Sequence, residues 1–100
     1  MAVIDVRITS VNGKFVPSQD PVTLSKGNGD TIKWHNDTPQ EITINFADGT
    51  PFPGDRNPYR IGPGKQQDSG NIQASAGTNW AYLIIAASGA VMDPEVIIKD

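Results

Sequence analysis

The fold class this sequence predicts is an all-β sandwich, on three observations. Apolar and polar residues alternate at period two in nearly every segment. Residues that favour chain reversal break those segments at regular intervals. No stretch carries the apolar period of an amphipathic helix. Strands with one apolar face need a second layer to cover it, so seven or eight short strands in two sheets around one core are expected. At 100 residues the chain fits a single domain over 1–100. A chain of this size buries roughly two-thirds of its unfolded surface, enough for one core and not two.

The elements follow in order. Ile4, Val6 and Ile8 share one face of a first strand, opposite Asp5, Arg7 and Thr9. Asn12-Gly13 ends it, because both residues tolerate positive φ. Val22 and Leu24 alternate with Thr23 and Ser25, and Gly27-Asn28-Gly29-Asp30 supplies the next reversal. In Asp30–Asn36, Ile32 and Trp34 point inward while Thr31, Lys33 and His35 point out. Asn36-Asp37-Thr38-Pro39 is a polar turn whose proline cannot donate to a ladder. Glu41–Phe46 sends Ile42, Ile44 and Phe46 inward. From Gly49 to Gly64, four prolines and four glycines fall within sixteen residues, so a long loop crossing between sheets is expected there. Trp80, Tyr82, Ile84 and Ala86 then alternate with Ala81, Leu83 and Ile85. Apolar residues on both faces predict that this strand is the most buried, and Glu95–Lys99 closes the chain.

Composition excludes several functions. Hydrophobic residues are 37% and charged residues 19% of the chain, which fits neither a disordered tail nor a membrane span. The longest apolar run, Ala81 to Ala87, is far shorter than the ~18 residues a bilayer span requires. Eight basic against eleven acidic residues give a net charge of -3 with no basic block, which argues against nucleic acid as a partner. No cysteine and a single histidine rule out disulfides, zinc fingers, iron–sulfur clusters and cysteine nucleophiles. Met1-Ala2 runs straight into the first strand, so no signal peptide is expected. The compartment is then the cytoplasm, or the periplasm or exterior if a signal has been removed.

Two stretches carry a family resemblance. The first reads Gly29-Asp30-Thr31-Ile32-Lys33-Trp34-His35-Asn36, followed by Glu41-Ile42-Thr43-Ile44-Asn45-Phe46. The second reads Tyr82-Leu83-Ile84-Ile85-Ala86, then Ala87-Ser88-Gly89-Ala90-Val91-Met92, then Val96-Ile97-Ile98. Together they resemble the cupredoxins, the blue-copper sandwiches. The resemblance implies a Greek-key sandwich and four copper-ligand positions. Aligned on Phe46, the first histidine position falls at Ile42, with Glu41 a one-residue alternative. The cysteine, histidine and methionine positions fall at Ala86, Gly89 and Met92. A blue-copper centre needs a thiolate and two imidazoles, and only the weak methionine ligand is present. The resemblance therefore implies the fold without the copper, so no cofactor is expected and Met92 is read as a core filler. An immunoglobulin-like sandwich is the alternative fold.

The remaining chemistry is sparse. His35 reads as a surface histidine, and a metal site built on it would need carboxylates such as Asp37 or Glu41. Asp48 and Asp55 could place two carboxylates on one loop, a weak calcium signal. The serines lack a Gly-x-Ser-x-Gly elbow, and Gly62-Pro63-Gly64-Lys65 lacks phosphate-loop spacing. Asn36-Asp37-Thr38 is a formal glycosylation triplet. Trp34, Trp80 and Tyr82 would stack on sugars if exposed, but alternation turns all three inward. The long loop holds Phe52, Arg56, Tyr59 and Arg60, aromatic and arginine residues of the type that anchors protein interfaces. The small residues Ala86 to Ala90 predict a smooth end to the sandwich.

The expectation is a non-catalytic, copper-free domain whose partner is another protein. A metal-binding protein with a non-blue site and a carbohydrate-binding module are the alternatives.

Overall fold

Alternation decides which residues meet across the interior. In the computed structural model, which describes residues 2–86, 88–89 and 91–100, the chain is all-β, built as mixed sheets packed around one core. The strands are β1 (Val3–Val11), β2 (Lys14–Pro17), β3 (Val22–Ser25), β4 (Thr31–Asn36), β5 (Ile42–Asn45) and β6 (Tyr59–Ile61). They continue as β7 (Gln66–Asp68), β8 (Thr78–Ala81), β9 (Leu83–Ala86), β10 (Val91–Met92) and β11 (Glu95–Lys99). They outnumber the seven or eight expected. The additions are pieces of two to four residues, too short to show a period in sequence.

One layer has the order β2-β1-β4-β7, with β1 and β4 parallel. The other comprises two hydrogen-bonded sheets, β3-β11-β8 and β10-β9-β5-β6. These are joined because β8 and β9 are one run of chain broken only at Tyr82, whose N–H donates to the Pro94 carbonyl at 3.0 Å. The β1–β2 reversal is the expected hairpin. Asn12 and Gly13 have φ of 52° and 78°, and Val11 pairs with Lys14 around them. The turn at 27–30 reverses the chain but makes no hairpin, since β3 and β4 lie in different sheets.

Val6, Ile8, Ile32 and Trp34 from the first layer meet Leu24, Ile42, Ile44, Ile84, Val96 and Ile98 from the second, all fully buried. Trp34 is the hub of an aromatic cluster. Its ring centroid lies 4.9 Å from Tyr59, 5.8 Å from Tyr82, 6.1 Å from Phe52 and 6.2 Å from Phe46. Tilted and edge-on pairs of this kind add about 0.5–1.5 kcal/mol each beyond their area.

Two expectations are corrected. The most buried strand is β4, which has neighbours on both sides in its sheet and supplies Ile32, Trp34 and the buried Asn36. In β9, by contrast, the outward Leu83 and Ile85 remain half-buried. The segment from Gly49 to Gly64 is not purely a loop. It contains a 3-10 turn at Gly54–Arg56 and the strand β6, which pairs antiparallel with β5. Asn57 closes that connection: its Oδ1 accepts from Phe46 N–H at 2.8 Å and its Nδ2 donates to the Phe46 carbonyl at 3.1 Å. The three residues between Pro58 and Gly62 are enough for a short ladder.

Candidate functional site

The positions that the resemblance singles out converge at one end of the second layer. Ile42 and Ala86 are direct partners across the β5–β9 ladder, and two residues along, Ile44 pairs with Ile84 and Ile84 with Met92. Ile42 is fully buried, Ala86 is 5% exposed and Met92 packs half-buried against the core. Glu41 precedes β5 and is exposed, so Ile42 is the residue that meets Ala86. Gly89 sits in the β9–β10 turn with φ of 89° and donates its N–H to the Ala86 carbonyl at 2.9 Å. Facing side chains here are hydrocarbon, apart from one thioether. Ala87 and Ala90, part of the expected smooth end, lie outside the described residues.

The loop quartet is not a cluster. Phe52 and Tyr59 are core residues, 2% and 3% exposed, and cannot anchor a partner at the surface. Phe52 stands edge-on to Trp34, and Tyr59 Oη donates to the Ser69 carbonyl at 2.7 Å. Burial pushes the Tyr59 phenol up to about 12, with the nearby Arg56 opposing. Aromatic residues bracketed by prolines read as loop anchors in sequence; the strand pairing of β6 turns Tyr59 inward instead. Arg56 and Arg60 are exposed but separate. Arg56 lies over Gly70, where a β-carbon would come within 3.2 Å of its Cδ.

Arg60 points out of the second layer. It pairs with Thr43, and Thr43 pairs with Ile85, so the three form one row across the sheet's outer face. Along β8–β9, Ala81, Leu83 and Ile85 share that face, with Ala81 exposed and the other two half-buried. At the Leu83 end is a shallow pocket of about 140 Å³, lined by Ala47, Asp48, Ala81, Tyr82, Leu83 and Asp93. Two carboxylates therefore border one end of an aliphatic stripe, and the Arg60 guanidinium lies on the same face one strand beyond it, past Thr43. Sequence reasoning missed Leu83, Ile85 and Asp93 here. Their signal was present, because apolar residues on both faces of a strand describe an apolar outer surface as well as a buried strand.

The other candidates are accounted for by local structure. His35 is only 14% exposed, and its Nε2 lies 2.7 Å from Asp5 Oδ1 on the neighbouring β1. Asp37, proposed as its metal partner, instead pairs with Arg7 at 3.0 Å. The His35 contact holds the Asp5 carboxyl below its usual range. Asp48 shares its pocket with Asp93, not with Asp55, which sits in the 3-10 turn. Among the described residues, no group of three or more histidines and carboxylates is placed to hold a metal ion.

Asn36 is fully buried. Its Nδ2 donates to the Gln40 and Ile61 carbonyls at 2.8 and 2.9 Å, while its Oδ1 accepts from Thr38 N–H and Oγ1 at 3.0 and 2.6 Å. That amide has no room for a glycan in the folded chain. Trp34 and Tyr82 are buried as expected, and burial pushes the Tyr82 phenol up to about 12. Trp80 is only half-buried, covered by Gly49, whose β-carbon would approach the indole to 3.1 Å. No described helix is long and apolar enough to cross a membrane.

Fold and site together define an all-β sandwich with a hydrocarbon-filled end and one aliphatic outer face bordered by charge. No protein-family model matches the chain, and no curated protein matches it either.

Proposed function

We propose that the chain is a non-catalytic, copper-free cupredoxin-like domain with Greek-key connectivity, acting in protein recognition or assembly. One observation carries the recognition reading. The stripe Ala81–Leu83–Ile85 keeps aliphatic side chains on the outer face of its sheet, with Ala81 exposed and Leu83 and Ile85 half-buried. Protein interfaces join an apolar centre to a polar rim. Here the rim is Arg60, on the far side of Thr43 from Ile85, and Asp48 with Asp93 beside Leu83. The partner that this order fits is a protein segment with aliphatic side chains at its centre, an acidic group for Arg60 and a basic group for the Asp48–Asp93 pocket. The family part of the reading is supported by the parallel β1–β4 and β3–β11 pairs and by the Ile42–Ala86 pairing. The copper-free reading is supported by the hydrocarbon at those positions.

The test is affinity capture from cells that make the chain, followed by direct binding of the purified captured protein. Wild type is expected to bind with salt-sensitive affinity. Ile85→Asp should abolish binding and Arg60→Glu weaken it, with the melting temperature of both variants near wild type. Equal binding by wild type and Ile85→Asp overturns this surface. Stoichiometric copper in elemental analysis of the purified chain overturns the copper-free reading.

A further inference from the structure

The sequence contains two Asn-Gly pairs, Asn12-Gly13 and Asn28-Gly29, and the fold treats them oppositely. Asn-Gly is the dipeptide most prone to cyclise, because glycine has no side chain to shield its nitrogen. Three conditions govern the reaction in a folded chain: an accessible amide, a side chain free to rotate, and a glycine N–H that is not already donating.

Asn12 and Gly13 meet all three. Both are exposed at the tip of the β1–β2 hairpin. Among the described residues, the Asn12 side chain makes no hydrogen bond and the Gly13 N–H donates to no acceptor. Nothing lies within 4 Å of where a Gly13 β-carbon would sit, so the space around the reacting atoms is open. Asn28 is exposed too, and the space around Gly29 is equally open, but the other two conditions fail there. Asn28 Nδ2 donates to Asp30 Oδ1 at 2.6 Å, Asn28 N–H donates to Ser25 Oγ at 3.2 Å, and Gly29 N–H donates to the Lys26 carbonyl at 3.0 Å.

We infer that Asn12 is a site of spontaneous deamidation and isoaspartate formation, and that the fold protects Asn28 from the same reaction. The Gly13 nitrogen loses its proton and bonds to Asn12 Cγ, and the side-chain amide leaves as ammonia. Water then opens the resulting succinimide at either carbonyl, giving aspartate or isoaspartate. Either product adds a negative charge at the hairpin tip. Isoaspartate also inserts a methylene into the backbone of a two-residue turn, whose geometry sets the Val11–Lys14 register and with it the placement of Phe15 on β2. Age would therefore loosen β2, a sheet-edge strand.

The experiment is incubation of the purified chain at mildly alkaline pH, with peptide mapping by mass spectrometry and enzymatic detection of isoaspartate. The same incubation is run in urea. In the folded chain, conversion at Asn12 should exceed that at Asn28 several-fold; in urea the two rates should converge. Asn12→Gly, which keeps a turn residue suited to positive φ, should fold normally and lose the isoaspartate signal. Equal conversion of both asparagines in the folded chain overturns the inference. So does an Asn12 that stays intact when folded while both sites convert in urea.

Discussion

Ile42 and Ala86 face each other directly across the β5–β9 ladder, buried at the end of the sandwich where the family resemblance puts a histidine and a cysteine. A large branched side chain opposite a methyl group fills that space with carbon alone. Close packing of this sort leaves neither lone pairs nor room for an ion. The same pair gives the most direct way to test the resemblance at this end of the sandwich.

Restoring the implied ligands is the first prediction. The triple variant Ile42→His, Ala86→Cys, Gly89→His, with Met92 retained, should bind copper and show the intense visible absorption of a thiolate–copper bond. Circular dichroism would establish that it folds. A folded variant that takes up no copper removes these four positions from consideration as a ligand set.

Asn36 should be the most sensitive polar residue in the core. Truncation to alanine strands the Thr38 N–H and the Ile61 carbonyl, both partners of a buried side chain. Each orphaned group costs about 1–3 kcal/mol, so Asn36→Ala should lose roughly 2–6 kcal/mol in urea unfolding. Asn36→Asp should be no better, since it turns a carboxylate oxygen toward two carbonyl oxygens. A near-neutral Asn36→Ala would show that the network does not hold the β4 end in place.

Acid should act through Asp30. Its carboxylate accepts from Ser25 N–H at 2.9 Å, Asn28 Nδ2 at 2.6 Å and Ala2 N–H at 3.3 Å. The Ser25 hydrogen bond, with help from the other two, holds its pKa below the ordinary 3.8. A depressed folded-state pKa gives stability that is complete above the unfolded value and lost as pH falls through the folded one. Denaturation midpoints of Asp30→Asn should therefore vary less with pH below the ordinary carboxyl value than those of wild type. Parallel curves for the two proteins would contradict this.

Alkali should act through the tyrosines. The chain has two, Tyr59 and Tyr82, both buried and both raised to about 12 from an ordinary 10.0. Their raised pKa gives stability that is full below the unfolded value and lost as pH rises toward the folded one. Ultraviolet titration should show no phenolate near the ordinary value of 10.0 while the fold is intact, and ionisation only toward about 12 or with the loss of circular dichroism. Ionisation of either at its ordinary pKa without unfolding would show that it reaches solvent.

Alternation revealed the inward faces of most strands, because a half-buried strand writes its environment at period two. Val6 and Ile8, Val22 and Leu24, Ile32 and Trp34, and Ile42 and Ile44 are all buried as the pattern predicts. The pattern is less informative where it is short or two-sided. β6 has three residues inside a proline- and glycine-rich stretch, and it exists because β5 offers it an edge. Leu83 and Ile85 are apolar on a second face, and that alone does not distinguish burial under another layer from an uncovered surface.

The all-β class, the main strands, the turn at Asn12-Gly13 and the absence of any cysteine thiolate were legible in the chain itself, because they depend on sequence neighbours or on composition. Long-range packing was needed to place Phe52 and Tyr59 in the Trp34 cluster, Asp48 in a pocket with Asp93, and Arg60 on one face with Ile85. Those relationships join residues tens of positions apart through strand pairing and sheet packing. They are set by which edges and faces the rest of the fold leaves open.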